Sequence, residues 1–307
     1  MMAAMSSSTV TSHAPAPAAT APADGARWQD FVTMVVLPGA IWGTSFLFMA
    51  QGLRVLSPAG VTFARIAIGL LTLSLVPAAR RPLPRSDWGA VALLALLWLA
   101  FPLSMFPLAE QWVSSALAGM LNGAVPLFTV AVGILLTRRL PGRAVLAGLA
   151  VGMAGTVLIA LPDLGTSQGS VKGVLLVMAA LVSYGFAIHV ARPLQQRNGA
   201  LPVMWRALAI ALVLTAPLGL PAIAAARWSL GPWLALAALG AGGTAVAQVL
   251  SATAAGRLGA ARASATVFIT PVVALALGVV FLHEHVAALS VLGCAVCLLG
   301  AWIMGRK

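Results

Sequence analysis

The chain has 307 residues, of which 61% are hydrophobic and 8% are charged. A mean hydropathy of +1.02 excludes an ordinary soluble globular fold, because too few polar residues remain to cover its surface. The formal net charge of +12 does not indicate binding to nucleic acid, since the basic residues are spread over short loops and form no single basic face. The lipid bilayer is therefore the predicted main solvent of this protein.

The first predicted element is a disordered tail over residues 1–27, which are rich in Ala, Pro, Ser and Thr and lack the apolar core of a cleaved signal sequence. Ten apolar runs follow, and most are about 20 residues long, enough to cross a bilayer about 30 Å thick as helices. The runs cover residues 31–53, 58–78, 89–108, 115–136, 144–161, 172–191, 201–220, 232–254, 261–282 and 287–304. The predicted fold class is an all-α polytopic membrane protein with ten spans.

Basic residues in the connections predict how these spans are oriented. With the N-terminus in the cytoplasm, thirteen Lys and Arg residues lie on cytoplasmic segments, and only Arg54, Lys172 and Arg227 lie on the opposite face. A miscounted span in the middle of the chain would disturb this separation. Both termini are therefore predicted to be cytoplasmic.

Proline and glycine positions divide the chain into two repeats. The residues that recur after 145 positions are Pro126 and Pro271, Gly133 and Gly278, Gly148 and Gly293, and Gly155 and Gly300. Arg139 and Glu284 are matched by the same interval and carry opposite charges, which indicates opposite orientations of the two halves in the bilayer. Five spans per half would invert the second copy, and inverted repeats are typical of transporters.

A set of motifs in both halves is also typical of one known family. The motifs are Trp42-Gly43-Thr44-Ser45-Phe46, Pro58 with Arg65 seven positions later, and the stretch from Ala263 through Pro271, Gly278 and Phe281-Leu282-His283-Glu284 to Gly293 and Gly300. With them the chain resembles the EamA family of the drug/metabolite transporter superfamily, in a first repeat over 33–160 and a second over 171–303.

The resemblance implies ten helices in two inverted five-helix repeats, cytoplasmic termini, a central substrate cavity and a multi-pass position in a bacterial inner membrane. It also implies export of amino acids or related small metabolites. The first half departs from the family pattern, because Arg138-Arg139 replace the acidic residue common after the fourth helix.

Polar residues inside the spans are the first candidates for substrate binding. Thr244, Gln248 and Ser251 share one face of span 8, while Asn122 lies in span 4 and Thr270 in span 9. Ser and Thr hydroxyls can bond back to their own helix, which leaves a purely structural interpretation open for them. The amides of Asn122 and Gln248 favour a cavity-facing role.

Aromatic residues away from the predicted interfaces are further candidates. Trp42 and Tyr184 occupy similar places in the two halves, and each is followed by Gly. They either line a cavity, where a π face accepts apolar groups and ammonium ions, or simply pack between helices. Ser45, in the same motif as Trp42, completes the candidate substrate-binding set.

Pro126 and Pro271 are candidate hinges. Each proline removes a helical hydrogen bond near the middle of its span, from the carbonyl of Asn122 or of Val267. The freed carbonyls and the bend either assist alternation between inward-open and outward-open states or form a static kink.

Charged residues inside or beside the spans are few. Arg65 and Arg206 match across the repeats at a separation of 141 positions; reaching the headgroups is the first interpretation, and carboxylate binding, mainly by Arg65, is the second. Glu110 and Glu284 are expected to be solvated at periplasmic turns, and His189 to be neutral and hydrogen-bonded. Proton antiport and facilitated export both remain open.

No metal or cofactor is predicted. Cys294 and Cys297 are expected to be packing residues, because their spacing in a helix disfavours a disulfide and no further metal ligands lie nearby. The glycines at 148, 152 and 155 and those at 293 and 300 are expected to pack helices 5 and 10 inside the monomer, or to form a dimer surface. The predicted state is a monomer or weak homodimer.

The leading hypothesis is a secondary transporter that exports amino acids or similar metabolites by alternating access, around a cavity lined by spans 1, 4, 6, 8 and 9. One alternative is an exporter of amphiphilic drugs or cationic amines. Another is a membrane-embedded lipid-modifying enzyme, which is less favoured because no His/Asp/Glu constellation at interface depth is visible.

Overall fold

The computed structural model describes residues 28–164, 168–257 and 266–305, and these ranges are almost entirely helical without a strand. The predicted tail over 1–27 and the start of the Ala263 motif lie outside the described residues. The helices are α1 Val32–Gly52, α2 Pro58–Ser74, α3 Arg85–Ala109, α4 Ser115–Asn122, α5 Val125–Thr137, α6 Arg143–Leu164, α7 Gln168–Asn198, α8 Ala200–Ala224, α9 Leu230–Ser251, α10 Thr266–Leu282 and α11 Ala288–Gly305.

Seven of these helices are long and apolar enough to span a bilayer, namely α1, α3, α6, α7, α8, α9 and α11. The count is eight if α4 and α5, which meet at a 45° bend, form a single span. α2 and α10 are shorter apolar helices. The all-helical architecture is thus as predicted, whereas the count of ten spans and the position of the termini stay predictions.

Two pairs of local backbone features follow the same 145-residue repeat as the sequence, whereas the π-helical turn at Val32–Val36 has no counterpart among the described residues of the second half. Among the described residues, the non-glycine residues with positive φ are Arg138 and His283, at 52° and 55°, and each follows the helix that contains a repeated proline. π-helical turns widen α3 at Ala95–Ala100 and α9 at Leu239–Val246, which are also matched positions. The two halves therefore share backbone irregularities as well as residues.

The two halves interlock through helices of small residues. α6 of the first half packs along α11 of the second, where a Cβ added to Gly148 would lie 2.7 Å from the carbonyl oxygen of Gly300. A Cβ on Gly155 would collide with the backbone of Cys297. Larger residues at these glycines would force the helices apart, so the glycine series packs helices within the monomer, as expected.

The cysteines lie at the same contact between α6 and α11. Cys294 and Cys297 are both buried and unbridged, and the Cys297 Sγ is 3.7 Å from the Thr156 Oγ1. Their role in the structure is packing, which the sequence predicted.

The matched prolines have different surroundings. Pro126 lies in the first turn of α5, directly after the break that separates α4 from α5. Pro271 lies inside α10, which continues as one helix from Thr266 to Leu282. Its ring packs at that break, since a Cβ added to Gly123 would lie 2.7 Å from the Pro271 Cγ. The helix is therefore interrupted at the repeated proline in the first half only, and Pro271 of the second half packs against the interruption.

Candidate functional site

A cavity of about 190 Å³ lies between the two halves. Residues of α1, α4, α5, α7, α9 and α10 line it, and these helices correspond to the five spans expected to form the cavity. α2, α3 and α8 contribute as well, through Arg65, Trp98 and Met204 among others. Lining by both repeats is the arrangement in which rocking of one half against the other could expose the cavity to alternate sides.

The structure brings most of the candidate substrate-binding residues together. Those that line the cavity are Trp42, Ser45, Asn122, Tyr184, Thr244, Gln248 and Thr270. Ser251 lies instead in an adjoining cavity of about 170 Å³, which shares Trp42, Trp98, Met204 and Gln248 with the first. The second cavity extends toward Gln195 and Ala200, at the turn between α7 and α8.

Four aromatic rings form a connected surface on the cavity, called here the aromatic wall: Phe46, Trp98, Phe106 and Tyr184. The ring of Tyr184 stacks on Phe106 at 6.1 Å and meets Trp98 edge-on at 6.4 Å, and Phe46 meets Phe106 edge-on at 5.7 Å. Both interpretations that the sequence left open apply to Tyr184: it packs against aromatic rings of a neighbouring helix, and it lines the cavity.

Trp42 is anchored by a hydrogen bond across the halves. Its indole Nε1 donates to the carbonyl oxygen of Gly243 at 3.0 Å. Gly243 belongs to the π-helical turns of α9, and such turns are frequent at functional sites because they disturb the regular helical hydrogen bonds. The ring of Trp42 thereby has a fixed orientation on the cavity surface.

The two amide side chains differ from the hydroxyl side chains in their hydrogen bonding. Ser45 donates to the carbonyl oxygen of Ile41 in its own helix at 3.1 Å, and Thr270 donates to that of Gly39 at 3.2 Å. Asn122 and Gln248 make no hydrogen bond within the part of the chain that the structure describes. Their donors and acceptors are therefore available to a bound molecule.

Arg65 lines the cavity from α2 and is buried, with 5% of its surface exposed. Its Nε donates to the Thr244 Oγ1 at 3.3 Å, and its Nη1 lies 3.4 Å from the Met49 Sδ. Arg206 is also buried, at 9% exposed, but it does not line the cavity. Its Nη1 donates to the carbonyl oxygen of Pro202 at 3.2 Å. The interpretation that both arginines reach the headgroups is therefore wrong.

Glu284 lies outside the cavity and is half-buried, so the expectation of a solvated side chain holds only in part. Its carboxylate accepts backbone N–H bonds from Ser115 at 2.8 Å and Ala116 at 2.9 Å, at the N-terminus of α4. A carboxylate is favoured there because the first N–H groups of a helix lack helical partners and carry partial positive charge. Glu284 thus joins the two halves at one end of the bundle.

Glu110 and His189 lie outside the cavity lining too. Both carboxyl oxygens of Glu110 are buried, and they have no hydrogen-bond partner among the described residues, which overturns the prediction of a solvated side chain. The Nε2 of His189 is 3.0 Å from the carbonyl oxygen of Thr129. Because a carbonyl only accepts, the proton is assigned to Nε2, in agreement with the predicted hydrogen-bonded histidine.

Sequence reasoning missed Trp98, Phe106 and Phe46 of the aromatic wall. Trp98 could have been found, because it lies in the middle of an apolar run, away from the interface layer where tryptophan is common. The two phenylalanines carry no such signal, since phenylalanine occurs throughout apolar helices.

Comparisons with known proteins follow the same two-repeat division. The sequence profile of the EamA-like transporter family matches residues 31–161 and again 171–306. A solved crystal structure that is 22% identical in sequence superposes with a TM-score of 0.61, over 89% of this chain and 95% of that one, which shows a shared fold.

Three curated relatives are also similar to this chain. A probable terminal-alkyne amino-acid exporter of Streptantibioticus cattleyicolor is 27% identical over 90% of this chain and 93% of its own length. An uncharacterized transporter of Archaeoglobus fulgidus is 24% identical over 89% and 98%, and the inner membrane transporter YedA of Escherichia coli K12 is 33% identical over 48% of each chain. The names indicate transporters and not enzymes. This multi-pass membrane protein belongs to the EamA-like transporter family.

Proposed function

We propose that this protein exports amino acids or similar small metabolites across a bacterial inner membrane by alternating access. The observation that carries the proposal is the cavity between the halves, in which the aromatic wall lies with two amide side chains, Asn122 and Gln248, that have no hydrogen-bond partner in the described chain. An apolar cavity with a few convergent polar groups is the usual form of a small-molecule site.

The main cavity is of a size that suits a small metabolite. At about 190 Å³ it is smaller than the about 300–1,000 Å³ typical of sites for drug-sized ligands, which would also have to occupy the adjoining cavity of about 170 Å³. The relative that is named a probable amino-acid exporter supports the same substrate class.

The contacts at the two ends of the bundle support an alternating mechanism. At one end, Glu284 binds the N-terminus of α4, and the Arg227 backbone N–H donates to the carbonyl oxygen of Val55 at 3.1 Å. Toward the other end, the adjoining cavity extends to Gln195 and Ala200. With the predicted cytoplasmic termini, this arrangement corresponds to a conformation directed inward, which would load substrate from the cytoplasm.

The test is counterflow in proteoliposomes that contain the purified protein and are preloaded with unlabelled amino acids. Wild-type protein should accumulate labelled amino acid, and Gln248→Leu should reduce the initial rate at least about tenfold, as expected for removal of a polar contact to substrate. Gln51→Leu is the matched control, because Gln51 lies on α1 outside this cavity. Wild-type flux from Gln248→Leu would contradict the proposed site.

A further inference from the structure

We propose that Arg65 selects the substrate by its carboxylate, and that the site accepts small monocarboxylates with an apolar end whether or not they carry an ammonium group. The proposal rests on the proposed transport function and narrows its substrate class. It also separates two of the hypotheses derived from the sequence, since a cationic amine would meet an unfavourable charge here.

The positive charge of Arg65 is not balanced by an ion pair among the described residues. A buried guanidinium is costly unless an anion or several acceptors compensate for the lost water. Within the described ranges no acidic side chain forms an ion pair with Arg65; the ion pair found there joins Arg197 to Asp87 at 3.0 Å. The hydroxyl of Thr244 and the sulfur of Met49 are neutral partners, and sulfur is a weak acceptor.

The guanidinium of Arg65 has more hydrogen-bond donors than its contacts in the described chain use. Arginine has five N–H donors in a planar arrangement that matches the two oxygens of a carboxylate. The contacts with Thr244 and Met49 account for one N–H at Nε and one at Nη1. Among the described residues no other group contacts the remaining donors of Arg65, so they can bind a carboxylate in the cavity.

Close packing of the backbones of α2 and α9 holds Arg65 in place. Glycines bring α2 and the π-helical turns of α9 close together: a Cβ on Gly240 would lie 2.9 Å from the carbonyl oxygen of Arg65, and a Cβ on Gly69 would lie 2.9 Å from the Thr244 Cγ2. This close approach sets the guanidinium beside Thr244 inside the bundle. The Arg65 side chain consequently faces the cavity and not the lipid headgroups.

Arg65 provides the positive charge of a cavity lining that is otherwise neutral among the described residues. Apart from Arg65, the cavity lining among the described residues contains no Asp, Glu, Lys or His. An ammonium group therefore finds amide oxygens and aromatic faces but no opposite charge, whereas a carboxylate finds a cation. The aromatic wall and Met204 accept the apolar end of the molecule. Binding should thus require the carboxylate and tolerate loss of the ammonium.

Matched ligands test this requirement. Leucine, 4-methylpentanoate and 3-methylbutylamine share an isobutyl group; 4-methylpentanoate lacks the ammonium of leucine, and 3-methylbutylamine lacks its carboxylate. Phenylalanine, 3-phenylpropanoate and 2-phenylethylamine form a second set. Each compound is tested as a competitor of labelled amino-acid counterflow in proteoliposomes and as a ligand that raises the melting temperature of purified wild-type protein. We expect both carboxylates of a set to bind, and the amine to bind about 10- to 100-fold more weakly.

Variants then assign the preference to one residue. Arg65→Gln should weaken binding of the carboxylates by about 10- to 100-fold and should abolish the difference between carboxylate and amine. Arg65→Lys, which keeps the charge but not the planar geometry, should retain part of the preference. Arg206→Gln is the matched control, because it removes a buried arginine outside the cavity, and it should leave the preference unchanged.

The outcomes separate this inference from the proposed function. Equal competition by amine and carboxylate in the wild-type protein would overturn it while leaving amino-acid transport in place, and so would an unchanged carboxylate preference in Arg65→Gln. The wild-type ligand comparison decides the matter even if Arg65→Gln fails to fold. Absence of both flux and ligand-induced stabilisation for every compound would overturn the proposed function itself.

Discussion

Arg65 and Arg206 occupy matched places in the two halves, yet their surroundings differ. Arg206 donates to a carbonyl of its own helix, and its guanidinium carbon lies 5.5 Å from the centre of the Trp205 ring. Arg65 has two neutral side chains as partners and faces the cavity. A repeat thus places the same residue type twice, but the partners around it decide whether its charge is available to a ligand.

Gly240→Val should have the strongest effect, because it disturbs the close approach of α2 and α9 that places Arg65. The new side chain would start 2.6 Å from the Ile68 Cβ and 2.9 Å from the Arg65 carbonyl oxygen. We expect a loss of about 1–3 kcal/mol in unfolding free energy and loss of transport. Unfolding in detergent and counterflow measure the two effects.

Gly242→Ala is the matched control for Gly240→Val. Among the described residues, a Cβ at Gly242 would have the Ile41 Cγ2, at 3.4 Å, as its one neighbour within 4 Å, so stability and transport should be nearly unchanged. Full activity of Gly240→Val would show that this packing does not position Arg65.

Replacement of each arginine by Met tests whether the two buried charges differ in their effects on stability and transport. Arg65→Met removes a buried charge that forms no ion pair among the described residues and keeps apolar volume, so we expect the protein to gain about 1–3 kcal/mol of stability while carboxylate transport is lost. Arg206→Met also removes the carbonyl bond and the contact with Trp205, so it should gain less stability and keep transport. Melting temperatures and counterflow rates of both variants check this; the same response in both would erase the distinction.

Thr244→Val tests the hydroxyl that orients Arg65, with little change in shape. Loss of one hydrogen bond, worth about 1 kcal/mol, should weaken carboxylate affinity by several-fold to about tenfold. Thr156→Val is the control, since Thr156 is buried beside Cys297 away from the cavity. Competition curves with 4-methylpentanoate give the affinities, and equal curves for Thr244→Val and wild type would contradict this role.

The weakest effect should be a pH dependence of stability that arises from Glu110, which follows the last residue of α3. Burial raises the pKa of the Glu110 carboxyl, the Glu284 carboxylate raises it further, and Arg65 acts in the opposite direction. Because this pKa is higher in the folded state than in the unfolded state, protonation of Glu110 stabilises the folded protein. The stabilisation is fully present below the unfolded-state pKa of about 4.3 and is lost as the pH rises through the folded-state pKa.

The melting temperature of the wild-type protein should therefore fall as pH rises, over the range that begins above about 4.3. Glu110→Gln should reduce this dependence, whereas Arg206→Gln should not change it. A wild-type melting temperature that does not depend on pH would contradict the assignment.

Much of the candidate site could be predicted from single residues. Asn122 and Gln248 were recognisable because amides are rare and costly within apolar helices, and Trp42 and Tyr184 because they lie away from the interfaces. Glu110 and Glu284 could not be placed in this way. The ends of an apolar run border either water or protein, and only the packing of α4 against the turn at Glu284 shows which.

Run length, composition and the 145-residue interval are properties of the linear chain, and they were sufficient to predict the helical class, the two repeats and the family. The folded structure was needed to show that Arg65 faces a cavity, that Glu284 binds a helix N-terminus and that only one of the matched prolines follows a break. These outcomes depend on residues far apart in the chain: Arg65 meets Thr244 across 179 positions, and Glu284 meets Ser115 across 169. Burial and partners of a charge are set by such contacts, which no local pattern encodes.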